Sequence, residues 1–214
     1  MTTLIFVRHG QSVSNLEQRF TGQQETELTP LGHKQAEATA RFLASYKIDK
    51  IYSSDLLRSM QTAEPTARIQ RLTVIPDPAF REINAGLWEG QSYSFLLERF
   101  GPAYEKWITD LAHAHPEGGE RTLDLAARVY EAVDRILQND RGKTVAIFTH
   151  ATPVRMLALR WFGLSPERAC KVPFCHNASV SIVEYEDNGD YRLIRYSYDE
   201  HQGENATGLP RGVV

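Results

Sequence analysis

The sequence predicts an α/β fold: a three-layer αβα sandwich with a mostly parallel central sheet, an antiparallel edge hairpin near the C-terminus and a partly helical lid insertion. Three observations point there. Residues 4–7 and 145–148 are short, apolar and unalternated, the pattern of strands buried on both faces of a parallel sheet. Segments of helical periodicity lie between them, so strands and helices alternate along the chain. Residues 179–185 and 191–198 instead alternate apolar and polar side chains around Asp187-Asn188-Gly189-Asp190, where Asn-Gly tolerates the positive φ of a hairpin turn.

The elements follow in order. Residues 4–7 form the first strand and run into Arg8-His9-Gly10. Thr29 is placed to N-cap a helix over 30–45, with Pro30 at its first position. Residues 50–53 supply a further strand, and Ser54 is placed to cap a helix over 54–70 that carries Arg58 in about its first turn. Residues 81–119 mix five glycines with Trp88, Tyr93, Phe95, Phe100, Tyr104 and Trp107, and read as the lid, helical over 92–111. Helices over 120–138 and 153–162 flank the strand at 145–148. One domain over 1–198 is expected from 214 residues, and the polar, Gly-rich segment 199–214 reads as a tail that is mobile or packed loosely.

Composition excludes several classes of function. With 42% hydrophobic and 24% charged residues the chain is an ordinary globule, neither collagen-like nor disordered. A net charge of −3 offers no global field for nucleic acid or anionic lipid, so neither is expected as a partner and any basic site is local. No apolar run approaches the ~18 residues of a membrane span, and no signal-peptide pattern opens the chain, so a cytoplasmic location is expected. Cys170 and Cys175 match no zinc or redox spacing and read as reduced thiols. His113-Ala114-His115 comes nearest to a metal motif, but it lacks HExxH or a carboxylate cluster, and Pro116 and Gly118-Gly119 make it a solvated loop. Neither GxxxxGK[ST] nor GxGxxG occurs. No cofactor and no metal are expected, and a homodimer is left open.

The informative echo lies at the two strand ends. Residues 4–7 lead into Arg8-His9-Gly10, and 145–148 into Thr149-His150-Ala151. Parallel sheets bind ligands at the carboxyl ends of their strands, so two neighbouring strands would bring both imidazoles to one crevice. Arg8, Arg58 and a helix N-terminus would join them there, a set suited to a phosphate dianion without a metal.

These residues, with those around them, give the chain its resemblance to the histidine phosphatase superfamily, also called phosphoglycerate mutase-like. It rests on Val7-Arg8-His9-Gly10 with Ser12 and Asn15, Arg19-Phe20-Thr21-Gly22, Leu28-Thr29-Pro30-Leu31-Gly32 with Gln35-Ala36, and Ser53-Ser54 to Arg58 with Gln61-Thr62-Ala63. Arg81-Glu82-Ile83 with Gly86, Trp88-Glu89-Gly90, Gly118-Gly119-Glu120 and Thr149-His150 complete it. The resemblance implies that His9 is the nucleophile carrying a phosphoryl group, that Arg8, Arg58 and His150 neutralise the phosphoryl oxygens, and that Glu82 is the proton donor. It implies further that Asn15, Thr21, Gly22 and the Ala151 N–H adjoin the substrate. Departures fall at Gln11, where the family commonly has Glu, at Ser14, where Trp is common, and at Ala151-Thr152, where Gly-Gly or Gly-Asn is usual. They bear on substrate range.

The expected function is therefore hydrolysis of small organic phosphomonoesters through a phosphohistidine. Two alternatives stand beside it: a cofactor-dependent phosphoglycerate mutase, and a non-enzymatic phosphate-binding module. Residues 83–118 carry only Arg99 and Lys106 as basic side chains against five carboxylates, which argues against a lid that grips doubly anionic substrates.

Overall fold

In the computed structural model, which describes residues 1–208, the chain runs β1 (Thr2–Arg8), α1 (Val13–Leu16), α2 (Pro30–Leu43), β2 (Lys50–Ser53), α3 (Leu57–Gln70), β3 (Val74–Pro76), α4 (Tyr93–Thr109), α5 (Thr122–Asn139), β4 (Thr144–Thr149), α6 (Ala151–Trp161), β5 (Val180–Tyr185) and β6 (Tyr191–Tyr198). The strands form one sheet in the order β3-β2-β4-β1-β5-β6. β3, β2, β4 and β1 are mutually parallel, whereas β5 and β6 run antiparallel, as the alternating pattern of 179–198 requires.

Successive strand residues point to opposite faces, and both faces are covered. Leu4, Phe6, Val145 and Ile147 pack with Leu125 and Val129 of α5 and Val154 and Leu157 of α6. Ile5, Val7, Ala146 and Phe148 pack with Leu43 of α2 and Ala63 and Ala67 of α3. Burial on both sides is why these strands read as unbroken apolar runs. Neighbouring β1 and β4 therefore send their following helices to opposite layers, and such a reversal opens a crevice at the strands' carboxyl ends.

α4 fills the insertion between β3 and α5. Ser92 caps it, accepting from Phe95 N–H at 3.2 Å, and the helical geometry breaks at Gly101, immediately before Pro102. Its Tyr104 and Trp107 join Phe20 and Trp88 in an aromatic cluster, with Trp88 fully buried. This is a core function for Trp88.

The structure departs from the sequence expectations at five places. Strand β3 and the one-turn α1 are too short for a periodic signal, and Pro76 ends the former. Helix α3 begins at Leu57, three residues later than expected, with Leu56 at the cap position and no side-chain cap. In the β5–β6 turn only Gly189 takes a positive φ (93°); Asn188 does not, so the turn closes as a glycine bulge rather than a two-residue Asn-Gly hairpin. Finally, Glu200–Asn205 is docked on α2 rather than loose: Gln202 is buried and donates to Thr39 Oγ1 at 2.9 Å, while Gln35 donates to Asn205 O at 2.8 Å. Residues 209–214 of the expected tail lie outside the described residues.

Candidate active site

The register of β1 on β4 pairs Arg8 with Thr149, so the residues that follow, His9 and His150, leave the sheet side by side. His9 N–H donates to Thr149 O at 2.9 Å, and the two imidazole centroids are 5.1 Å apart. β2 lies on the other side of β4 and ends level with it, which brings Ser54 to His150. Three strand ends thus meet at one point.

The His9 ring is oriented by its own backbone. Nδ1 lies 2.7 Å from Gly10 O, and a carbonyl only accepts, so Nδ1 carries the proton and Nε2 keeps its lone pair. Burial holds the imidazolium pKa of His9 well below the ordinary histidine value, and the charges of Arg58 and Arg8 push the same way. His9 is a neutral base with one committed nitrogen.

His150 is fully buried, and its pKa is likewise held well below the ordinary value by burial, then by Arg58 and His9. Its Nε2 lies 2.7 Å from Ser54 Oγ, while its buried Nδ1 has no partner among the described residues. Ser54 Oγ accepts from Leu56 N–H at 3.4 Å, and Nε2 is the acceptor that the described residues offer its hydroxyl hydrogen. With Nε2 accepting, the neutral ring carries its proton on Nδ1. Ser54 thus orients a histidine instead of capping α3.

Both arginines are buried. Arg58, in the first turn of α3, donates to Gly22 O at 2.7 Å and Gln24 O at 2.9 Å; burial brings its guanidinium down to about 10, still a cation at neutral pH. Gly22 is needed for this: it sits at φ +54°, and a Cβ there would lie 2.5 Å from Glu89 Oε1. Arg8 donates to Cys175 O and lies against Phe174, its centroid 5.0 Å away. The Nε of each arginine is buried without a partner among the described residues.

Glu82 sits opposite, on the irregular segment that follows β3. Its carboxylate accepts from Thr152 N–H at 3.2 Å, in the first turn of α6, and from Ile83 N–H at 2.8 Å. Asn15 Oδ1 is already taken by Ser12 N–H and Asn177 Nδ2, so only its amide hydrogens are available to a ligand. Ala151 opens α6 with an ordinary negative φ, so a residue with a Cβ fits there without strain.

Arg8, His9, Asn15, Thr21, Gly22, Arg58, Glu82 and Ala151 line one cavity of about 70 Å³, which His150 adjoins. All nine residues singled out in the sequence are therefore brought together. Phe20, Tyr93, Tyr104, Trp107 and Phe174 form its walls. Of these, Phe174 follows no motif, and sequence reasoning missed it. The role of Ser54 was missed as well, because its residue type reads as a helix cap and its contact with His150 follows from the β2–β4 register. The His113 and His115 rings bond to Asp110 and Gly119 O, and the described residues hold no group of three or more His, Cys, Asp or Glu side chains arranged for a metal.

The buried histidines make folding sensitive to acid. Both are depressed in the folded state and ordinary in the unfolded chain, so unfolding takes up protons below about pH 6.5. Their contribution is present in full above that pH and is lost as pH falls toward the folded values. Urea unfolding should therefore show a lower stability at pH 5.5 than at pH 7.5. His9→Gln should shrink that difference, with His150 and the partly buried His201, lowered in the same direction, left to carry the rest; an unchanged difference would mean that other groups set the acid limb.

Comparisons with known proteins agree with this geometry. The family model described as histidine phosphatase superfamily (branch 1) matches residues 4–198. Phosphoserine phosphatase 1 of Hydrogenobacter thermophilus is 28% identical over 204 residues, 95% of this chain and 96% of that protein. A probable phosphoglycerate mutase of Yersinia enterocolitica is 30% identical over 192 residues, 88% of this chain and 87% of its own. Among solved structures, YhfR of Bacillus stearothermophilus superposes with a TM-score of 0.89 at 28% identity, covering 94% of this chain and 99% of its own. A mycobacterial glucosyl-3-phosphoglycerate phosphatase in complex with VO3 gives 0.84 at 28%, covering 92% and 99%. With two strand-end histidines, two buried arginines and Glu82 around one cavity, and a family match that runs nearly end to end, the chain belongs to the histidine phosphatase superfamily.

Proposed function

We propose that this phosphatase hydrolyses small organic phosphomonoesters through a phosphohistidine on His9. The observation that carries the reading is the Nδ1 bond of His9 to Gly10 O, which leaves a neutral Nε2 lone pair in a cavity lined by Arg8 and Arg58. Nε2 attacks phosphorus as the ester P–O bond breaks. The leaving oxygen takes a proton from Glu82, and a water that later attacks the phosphohistidine returns one to Glu82, so the cycle closes with free phosphate and alcohol. Arg8, Arg58 and the His150 Nδ1–H meet the charge on the non-bridging oxygens, which is the main contribution a protein makes to phosphoryl transfer. The two guanidinium groups supply the positive charge that a metal would otherwise bring, and the reading calls for no metal.

The cavity takes the phosphoryl group and meets the organic group with aromatic walls. Its cationic side chains are Arg8 and Arg58, both committed to phosphate. The cations of the insertion are elsewhere: Arg99 lies 5.6 Å from the Phe100 ring centroid, and Lys106 is paired with Asp110 at 4.0 Å. Among the described residues the lining holds no further cation for a second anion, which favours esters of uncharged groups over phosphoglycerate.

The test is a race between two acceptors for one phosphohistidine. Phosphate release from a panel of monoesters should exceed the interconversion of 2- and 3-phosphoglycerate by at least ~100-fold, even with the bisphosphate primer supplied. Isomerisation faster than phosphate release would install the mutase reading, and absence of turnover on every ester would leave a phosphate-binding module.

A further inference from the structure

The described segment 81–85, which carries Glu82, belongs to no helix or strand, so its backbone must find partners outside any ladder. Arg128, one turn and a half into α5, supplies them. Nε and Nη2 form a two-pronged bond with Glu120, both at 2.9 Å. Nη1 donates to Ala79 O and Arg81 O, each at 2.8 Å, and Nη2 also donates to Glu82 O at 2.9 Å. A guanidinium has five N–H groups, and here all five are used. Glu120 extends the brace, accepting from Asn84 N–H at 2.8 Å and donating its own N–H to Asn84 O at 2.9 Å.

The carboxylate of Glu82 is held differently. Its two bonds are to backbone N–H groups, of Ile83 and Thr152. Its position over the cavity therefore follows from where the backbone of 79–84 lies relative to α6. We propose that Arg128 is the positioning residue of the proton donor, acting through the carbonyls of Ala79, Arg81 and Glu82 without touching substrate. This rests on Glu82 being that donor. A lysine cannot replace it: one ammonium presents three donors from a single point and cannot span three carbonyls and a carboxylate.

The test compares parent, Arg128→Lys, Glu82→Gln and the double variant on 4-nitrophenyl phosphate and on an alkyl phosphate. A good leaving group needs little protonation, so loss of a positioned acid falls on the alkyl ester. Arg128→Lys should reduce kcat for the alkyl ester at least ~10-fold more than for the nitrophenyl ester, with KM changed less than about twofold. On the Glu82→Gln background the same change should cost less than about threefold, because the two residues act as a unit. Equal losses on both esters, with Glu82→Gln still selective, would make Arg128 a structural brace and overturn the proposal. A Glu82→Gln variant that is itself unselective would remove the donor assignment and the proposal with it. If Arg128→Lys does not fold, Glu120→Gln loosens one arm of the brace and should show the same selectivity at smaller size; equal losses there overturn the proposal as well.

Discussion

His9→Ala is expected to fold as its parent does and to release phosphate from monoesters at least ~10⁴-fold more slowly, the effect of losing a covalent nucleophile. The fold survives because the structural work at this position is done by the backbone: His9 N–H bonds Thr149 O, and His9 O accepts from Ala178 N–H and Asn177 Nδ2. The ring itself contributes one bond, to Gly10 O. Parent enzyme quenched during turnover of a ³²P-labelled ester should carry label that is lost in acid and kept in alkali, the behaviour of a phosphorus–nitrogen bond, and His9→Ala should carry none. Label that survives acid would place the phosphoryl group on a hydroxyl and remove His9 from the role. Loss of activity without any trapped label in the parent would point instead to direct attack by water.

The histidines and arginines were legible because each sits where the fold itself announces a position. His9 and His150 follow unbroken apolar runs, and a run buried on both faces can only be an interior strand whose carboxyl end faces the ligand crevice. Arg58 stood out as a cation in the first turn of a helix, against the dipole, and its burial answers that anomaly. Other parts of the site depend on contacts that no local pattern encodes. Ser54 reads as a helix cap by residue type, yet its hydroxyl meets His150, 96 residues away. Phe174 reaches the cavity from an irregular stretch before β5, and Arg128 occupies a polar position of an amphipathic helix. The docking of Glu200–Asn205 on α2 was hidden for a related reason: the segment is polar, and it is held by Gln35, Thr39 and Gln202 amide and hydroxyl bonds together with one ring, His201, stacked on Phe42. Polar contacts of long sequence separation have no periodicity to read.

Arg58→Lys is the substitution expected to cost most after loss of the nucleophile. Arg58 is almost completely buried and spends one Nη1 and one Nη2 hydrogen on Gln24 O and Gly22 O, which leaves three donors, among them a buried Nε without a partner in the described residues. It therefore braces the loop of residues 22–24 and presents charge to the cavity at the same time. A lysine ammonium is a single point and meets one of these demands only. Since an arginine at a transferring phosphoryl group contributes ~10³–10⁵ in rate, kcat/KM should fall by about 10³ with kcat falling in parallel, the mark of an interaction made in the transition state. Phosphate binding offers an independent measure. Inorganic phosphate at ~100 times its Kd should stabilise the parent by about 2.7 kcal/mol, and this increment should largely vanish in Arg58→Lys, because the protein then binds the dianion with one guanidinium in place of two. If activity stays within tenfold of the parent and phosphate still raises the melting temperature, Arg58 serves the loop alone and Arg8 with His150 carries the phosphoryl charge. The two charge-assisted bonds to carbonyls return ~1.5–3 kcal/mol each, yet they use only two of the five guanidinium hydrogens and leave a buried Nε unspent. Those unspent donors, facing the cavity, are why we propose that the charge itself meets the phosphate.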